Sequence, residues 1–429
     1  MPKIEPTPWR IHIQQVFLKK ELVYVLASLL LQLVLGLLFG HAYDIRISMA
    51  TGYLVATRQD PYIAQNLTQV FNNPAFQGMT SIGYPPPWPL MLGVLYLIAY
   101  ATTHNLLIYN LAIKLPIIAA NICLAYLVKN VLSHQGLDQK TARKAWLFLL
   151  FNPFILYFTT AWGQFDSLVA ILTLFSLVLV FKKRILLSAV VLATAIAFKP
   201  TPAPVVLAIV VYLWGQPWRR LFRFITIFTL SLAAWCVLPF VLLHWDISPI
   251  IHGWNAQFSV SGGMSLTTLY ELLQDTYLLP GYWWLLGFIW MPIVAITTLF
   301  LPRGELGLPG LIKNSLVLSL VFFLTRTWLS EQNLTLILPL VLILVSLGEL
   351  PNISLTMVWV LPLIFTIFNT SPAQLLFPIL PSVMAKLLQW SDTYRAVRLI
   401  ARMLLVIPWQ LVGWWMVFYR PRKREAIVI

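Results

Sequence analysis

The chain has 429 residues, 59% of them hydrophobic and 10% charged, with a formal net charge of +15 and a mean hydropathy of +0.81. That balance excludes a soluble globular domain and describes an integral membrane protein with many spans. The basic residues cluster between apolar runs and form no single stripe, which argues against a nucleic-acid binder. Cys123 and Cys236 both lie inside apolar runs, so no disulfide framework is implied.

The predicted elements begin with a basic N-terminus, residues 1–20, carrying Lys3, Arg10, Lys19 and Lys20. An apolar run of ~20 residues follows, enough to cross a bilayer at a rise of ~1.5 Å per residue. No small-residue cleavage site comes after it, so it reads as a retained first helix. The chain then leaves the bilayer on Tyr43-Asp44-Ile45-Arg46 and opens a long first loop, 41–104. This loop runs through Arg58-Gln59-Asp60-Pro61-Tyr62 to Tyr84-Pro85-Pro86-Pro87. Trp88–Thr102 reads as a helix lying in or dipping into the interface.

Basic loops set the topology. Lys129–Lys144, Lys182-Lys183-Arg184, Arg219-Arg220-Arg223 and the tail 420–429 with Arg420-Pro421-Arg422-Lys423-Arg424 fall in the cytoplasm with the N-terminus. A single span, Asn105–Val128, then separates the first loop from Lys129. Ile185–Trp214 must cross and return, with Lys199-Pro200-Thr201-Pro202-Ala203-Pro204 as its helix-breaking outer turn. Further spans read as 145–161, 166–181, 224–243, 281–301, 311–327, 334–348, 355–369 and 399–419. The result is one all-α domain of about twelve spans with both ends inside. The outer features are 41–104, Gly163–Asp166, Lys199–Pro204, a second large loop at 244–280, and Thr325–Asn333. Loop 370–398, with Lys386, Arg395 and Arg398, fits the charge rule poorly. It reads as an interfacial helix touching lipid phosphates or as a hidden extra span.

Only 14 acids occur in the whole chain, so a carboxylate at a membrane exit needs a reason. Asp44 reads either as a helix cap or stop or as a base placed where a lipid-borne substrate meets water. Asp60 reads first as turn chemistry before Pro61, and the proline run at 85–87 as a rigid lead-in that shapes a groove. Trp162-Gly163-Gln164-Phe165-Asp166 is either a polar turn or part of a site. A lysine at membrane depth costs ~2.5–3.5 kcal/mol, so Lys199 calls for a partner, either a lipid phosphate or Asp166. Arg326 and Glu331 could pair with each other, or Arg326 could point at phosphate. His252, in a Gly- and Ser-rich loop, reads as structural or solvated, with a substrate contact as the alternative. Trp88, Trp162, Trp254 and Trp328 suit sugar stacking or a membrane belt. No metal-ligand spacing, Gly-rich phosphate loop or Ser-His-Asp order stands out.

The order Asp44, Asp60-Pro61-Tyr62, Tyr84-Pro85-Pro86, Asn152-Pro153, Gly163-Gln164-Phe165-Asp166-Ser167 and Phe198-Lys199-Pro200-Thr201-Pro202 resembles the GT-C superfamily of integral-membrane glycosyltransferases. It is especially similar to the prokaryotic polyprenyl-phosphate-mannose-dependent mannosyltransferases and the related glycosylphosphatidylinositol mannosyltransferase branch. The resemblance implies transfer of a sugar, mannose favoured, from a polyprenyl-phosphate carrier to a lipid or glycan acceptor. It implies a multi-pass protein of a prokaryotic plasma membrane, with its active site outside. The family's first-loop base falls on Asp44, and residues holding the carrier phosphate fall on Lys199 and Arg326. Some branches carry Asp-x-Asp here; this chain has Asp44-Ile45-Arg46, so a metal-independent reaction is favoured and no cofactor is expected.

The chemistry agrees. Transfer to a hydroxyl needs a base at ~2.6–3.2 Å and positive charge on the departing phosphate. One carboxylate serves direct inversion, whereas retention would need a second at ~5 Å. The expected set is Asp44 as base, with Asp60, Tyr62, Tyr84, Gln164, Asp166, Lys199, His252, Arg326 and Glu331 binding substrate, and no metal ligand. A secondary transporter or lipid flippase is the competing class, suited by broken helices and an intramembrane lysine. A non-catalytic assembly subunit explains the spans but not the polar residues gathered at one face.

Overall fold

The computed structural model describes residues 8–420 apart from 275, 305 and 370. The first seven residues and the basic tail beyond Arg420 lie outside the described residues. The fold is helical almost throughout. Among the described residues seven helices are long and apolar enough to cross a membrane, and six shorter apolar helices accompany them. The only regular strands described are the two-residue β1 (Gly262–Gly263) and β2 (Trp328–Leu329), paired in parallel.

Helix α1 (Pro8–Leu38) packs against α4 (Leu106–His134). In a bilayer no water meets the free carbonyls at a buried helix end, so side chains must. The end of α1 is met by two residues one turn apart on α4. Asn110 Nδ2 donates to the carbonyls of Gly36 (2.8 Å), Leu37 (3.1 Å) and Phe39 (2.9 Å). Lys114, fully buried, donates from Nζ to Gly36 O (3.2 Å), to Phe39 O and to Ala161 O (3.1 Å). Deeper in the interface, Asn121 Nδ2 bridges Gln32 Oε1 (2.8 Å) and Thr159 Oγ1 (2.9 Å), a polar contact between packed helices.

The first loop contains more helix than the sequence reading gave it. After a break at residues 39–41 comes α2 (Ala42–Ala56), mostly buried. The proline lead-in starts α3 (Pro87–Leu95), as expected. The two cross where glycines permit it: a Cβ on Gly52 would stand 2.6 Å from Leu92 O, and one on Gly93 would stand 2.5 Å from Val55 Cγ1. Arg46 on α2 donates to the carbonyls of Ala42 and Ala75, tying down the rest of the loop.

Helices α5 (Asp166–Phe181), α6 (Ile185–Phe198) and α7 (Ala203–Trp214) follow; the turn expected at Lys199–Pro204 is shorter, since Ala203 and Pro204 already open α7, where a proline is tolerated in the first turn. Helix α8 (Gly307–Thr325) delivers Arg326 at its end. The segment 370–398 holds the exposed helix α9 (Pro381–Thr393) and leads into α10 (Arg395–Phe418). Gly40 N donates to Leu375 O at 2.9 Å, so this segment sits at the Asp44 end of the bundle.

Candidate active site

Asp44 occupies the first turn of α2, yet its side chain caps nothing; the N-cap position is His41. The cap reading is therefore set aside. Its Oδ2 accepts from Trp162 Nε1 at 2.6 Å and lies 3.1 Å from His41 Nδ1. The His41 and Trp162 rings stack with centroids 4.0 Å apart and planes 8° off parallel.

Several elements fix this pair. Leu156–Ala161 forms a wide π turn, a device common at functional sites. Trp162 N closes it onto Tyr157 O at 2.9 Å. Gly163 follows with φ +100°, where an L side chain is strained, and a Cβ there would stand 3.2 Å from Lys114 Cε. His41 N donates to Trp162 O at 3.2 Å. Because Lys114 binds both Phe39 O and Ala161 O, it clamps the two chain segments that carry His41 and Trp162.

Burial works against the charged form of Asp44. The hydrogen bond and charge of His41, the Trp162 indole and the Lys199 ammonium outweigh it and hold the carboxyl below its ordinary range. At 31% side-chain exposure, Asp44 opens onto a cavity of about 190 Å³ that Ser48, Tyr84 and Gln164 also line.

A larger cavity of about 380 Å³ adjoins it, lined by Lys199, Thr201, Arg326, Trp328, Gln332 and Asn333 among others. Gly83 and Tyr84 line both. Tyr62 Oη donates to Tyr84 O at 3.1 Å and so steadies that shared wall. Burial, together with Asp44 and Asp166, pushes the Tyr84 phenol well above its ordinary range, leaving it protonated.

Lys199 finds its partner in Asp166, 2.7 Å from Oδ1 and 3.0 Å from Oδ2, both residues buried. Arg326 does not pair with Glu331. Its guanidinium lies 5.0 Å from the Phe322 ring centroid, and among the described residues no ion pair neutralises it. Glu331 is buried and accepts from Asn369 Nδ2 at 3.2 Å.

Sequence reasoning named neither Thr201, Gln332 nor Asn333 individually. Thr201 Oγ1, Gln332 Oε1 and Asn333 Oδ1 are buried polar atoms without a protein partner, all on residues lining the larger cavity. Such groups are rarely left unmatched without a role. Their signal was present: three amides and hydroxyls at the rims of apolar runs, beside Lys199 and Arg326.

The remaining expectations divide. Asp60 is a turn residue, its Oδ1 accepting from Tyr62 N (2.8 Å) and its Oδ2 from Asp246 N (2.6 Å). His252 is exposed on the helix Ser248–Gln257, bonded to Ser248 O, and lines neither cavity. Trp88 is buried, stacked on Phe165 at 4.4 Å. Trp162 serves the carboxylate, whereas Trp328 does face the larger cavity. The side chain of Trp254 lies outside the described residues. Among the described residues no group of three or more His, Cys, Asp or Glu is placed to hold a metal ion.

Residues 43–216 match the family model of the alpha-(1->6)-mannopyranosyltransferase N-terminal domain. This is a family of GT-C type mannosyltransferases, in keeping with the likeness read from Asp44 to Pro202. The matched segment contains Asp44, Tyr84, Gln164, Asp166 and Lys199, and ends before Arg326. A comparison with curated proteins gave no match.

Proposed function

We propose that this membrane glycosyltransferase moves mannose from a polyprenyl-phosphate carrier to a hydroxyl of a lipid or glycan acceptor, with inversion and without a metal ion. The observation that carries the reading is the pair of adjoining cavities. One presents a carboxylate held ionised by Trp162 and His41. The other presents Arg326 beside unmatched hydroxyl and amide oxygens.

In this reading Asp44 takes the proton of the acceptor hydroxyl in the smaller cavity. Arg326 meets the carrier phosphate as it departs, with Lys199 adding charge from its ion pair. Tyr84, still protonated, stands where the sugar passes between the two. Thr201, Gln332 and Asn333 supply the hydrogen-bonding groups that sugar hydroxyls require, and Trp328 a stacking face. A lone base suits a single inverting displacement.

In this reading the seven long helices cross the membrane and the five shorter apolar ones other than Pro87–Thr103 cross with them, twelve spans in all. Pro87–Thr103 then lies in the interface, and the site faces outward in a prokaryotic plasma membrane. The test is Asp44→Asn in proteoliposomes supplied with polyprenyl-phosphate mannose. Loss of a general base costs ~10²–10⁴-fold; undiminished transfer would remove Asp44 from that role.

A further inference from the structure

The basic loops Lys182-Lys183-Arg184 and Arg219-Arg220-Arg223, singled out from the sequence, line neither active-site cavity. The fold brings them together. A separate cavity of about 420 Å³ lies where the start of α6 meets the start of the helix Trp218–Cys236, and Lys183, Arg184, Arg220 and Arg223 all line it. That volume is of small-ligand size. It sits at the opposite end of α5 and α6 from the Asp166–Lys199 pair. The 14 residues of α6 put ~21 Å between them at a rise of ~1.5 Å per residue. In the charge-rule topology this end faces the cytoplasm.

No carboxylate lines this cavity. Among the described residues none of its four cations joins an ion pair. Their one side-chain hydrogen bond runs from Arg220 Nη1 to Gln216 Oε1 at 2.8 Å. Like charges gathered without a counter-ion repel, and an anion relieves the repulsion. The backbone adds to this. The first regular bond of α6 is from Ser188 N to Arg184 O at 3.0 Å, so the N–H groups of Ile185, Leu186 and Leu187, which also line the cavity, have no helical acceptor. Lys183 has φ +59°. Its N–H bonds Val180 O and that of Arg184 bonds Leu179 O, a helix-ending turn in which glycine is usual. Lysine here adds a cation to the cavity against the preference of the backbone.

The walls say what bears the anion. Leu186 and Leu187 line the cavity yet are exposed, and Val190 continues that exposed apolar surface one turn along α6. On the helix packed against α6, Trp218, Phe222 and Ile225 are exposed beside Arg220 and Arg223. Exposed apolar side chains with a tryptophan mark the depth at which headgroups meet acyl chains. Arginine's planar fork suits phosphate oxygens, and basic pockets between membrane helices receive lipid headgroups. We propose that this cavity binds the phosphate of an anionic membrane phospholipid, whose acyl chains run along the exposed apolar surface of α6 and the helix Trp218–Cys236.

The test is native mass spectrometry of the full chain in detergent, loaded with phosphatidylglycerol or with phosphatidylcholine of the same acyl chains. Phosphatidylglycerol is expected to be retained about tenfold over phosphatidylcholine, and Arg220→Gln with Arg223→Gln should abolish the preference. Lys183→Gly should lower it ~5-fold, as for one cation near anionic lipid. Glycine adopts this φ freely, so that variant should unfold no earlier than the parent. Removing two exposed cations elsewhere, with Lys140→Gln and Lys144→Gln, should leave the preference unchanged. Equal retention of the two lipids by the unaltered chain overturns the proposal. So does a preference undiminished in Lys183→Gly, or one that falls equally when Lys140 and Lys144 are replaced. Displacement of phosphatidylglycerol by millimolar inorganic phosphate would instead mark a small-anion site and overturn the lipid assignment.

Discussion

Lys199 and Asp166 close a buried two-pronged ion pair, 2.7 and 3.0 Å long, at the turn between α6 and α7 and the start of α5. Removing one partner strands the other charge. Lys199→Met is expected to cost ~3–5 kcal/mol of stability, while Lys199→Met with Asp166→Leu should recover most of it. Thermal unfolding in detergent measures both. Equal stability of the single and double variants would mean that the pair carries no structural weight.

Trp162→Phe removes one of the hydrogen bonds that hold Asp44 ionised. Since the folded pKa is depressed, the linked stability is full above the unfolded carboxylate value of ~3.9 and is lost as pH falls through the folded one. Activity that needs the carboxylate should likewise persist to below the ordinary carboxylate range. In Trp162→Phe the acid limb of kcat/KM should move up in pH. An unmoved limb would show that Trp162 does not tune the base.

Arg326→Gln should raise KM for the lipid-linked donor. A charged hydrogen bond is worth ~1.5–3 kcal/mol, or about 10- to 150-fold. Arg326→Lys should recover only part, because a point charge replaces a fork. Steady-state kinetics with varied donor decide this; a loss confined to acceptor KM would reverse the two cavities' roles.

Lys114→Met leaves the carbonyls at the end of α1 and at Ala161 short of a donor. A destabilisation of ~1–3 kcal/mol is expected, with a fall in kcat as the His41–Trp162 stack loosens. Gly163→Ala should do the same through backbone strain, costing ~1–3 kcal/mol. Donor KM should change little in both, which separates loss of the Asp44 geometry from loss of phosphate binding.

The parts of this fold that were legible in the sequence rest on strong local chemistry. The spans follow from apolar runs, the Lys199–Pro202 turn from its prolines, and the start of α3 from Pro86 and Pro87. Asp44, Tyr84, Gln164 and Lys199, which line the two cavities, stood out as candidates because polar residues at membrane exits are costly and therefore few. Helix α2 was missed because its residues are buried on several sides and show no one-sided apolar pattern. The contributions of Trp162 and Lys114 were hidden for another reason: each acts across more than forty residues of chain, through contacts that only tertiary packing creates. His252 shows the converse, a polar residue in a promising loop that the fold leaves exposed.

The pairing of β1 with β2 has a mechanical corollary. Gly262 N donates to Thr327 O (3.0 Å), and Ser265 Oγ and Thr267 Oγ1 bond the carbonyls of Arg326 and Thr327. Val260 and Tyr277, which flank this stitching, also line the larger cavity. The covering segment and the backbone that carries the arginine are therefore laced into one piece. Any swing of that cover drags the guanidinium with it, so in the proposed reaction widening the chamber and releasing the departing phosphate become a single motion.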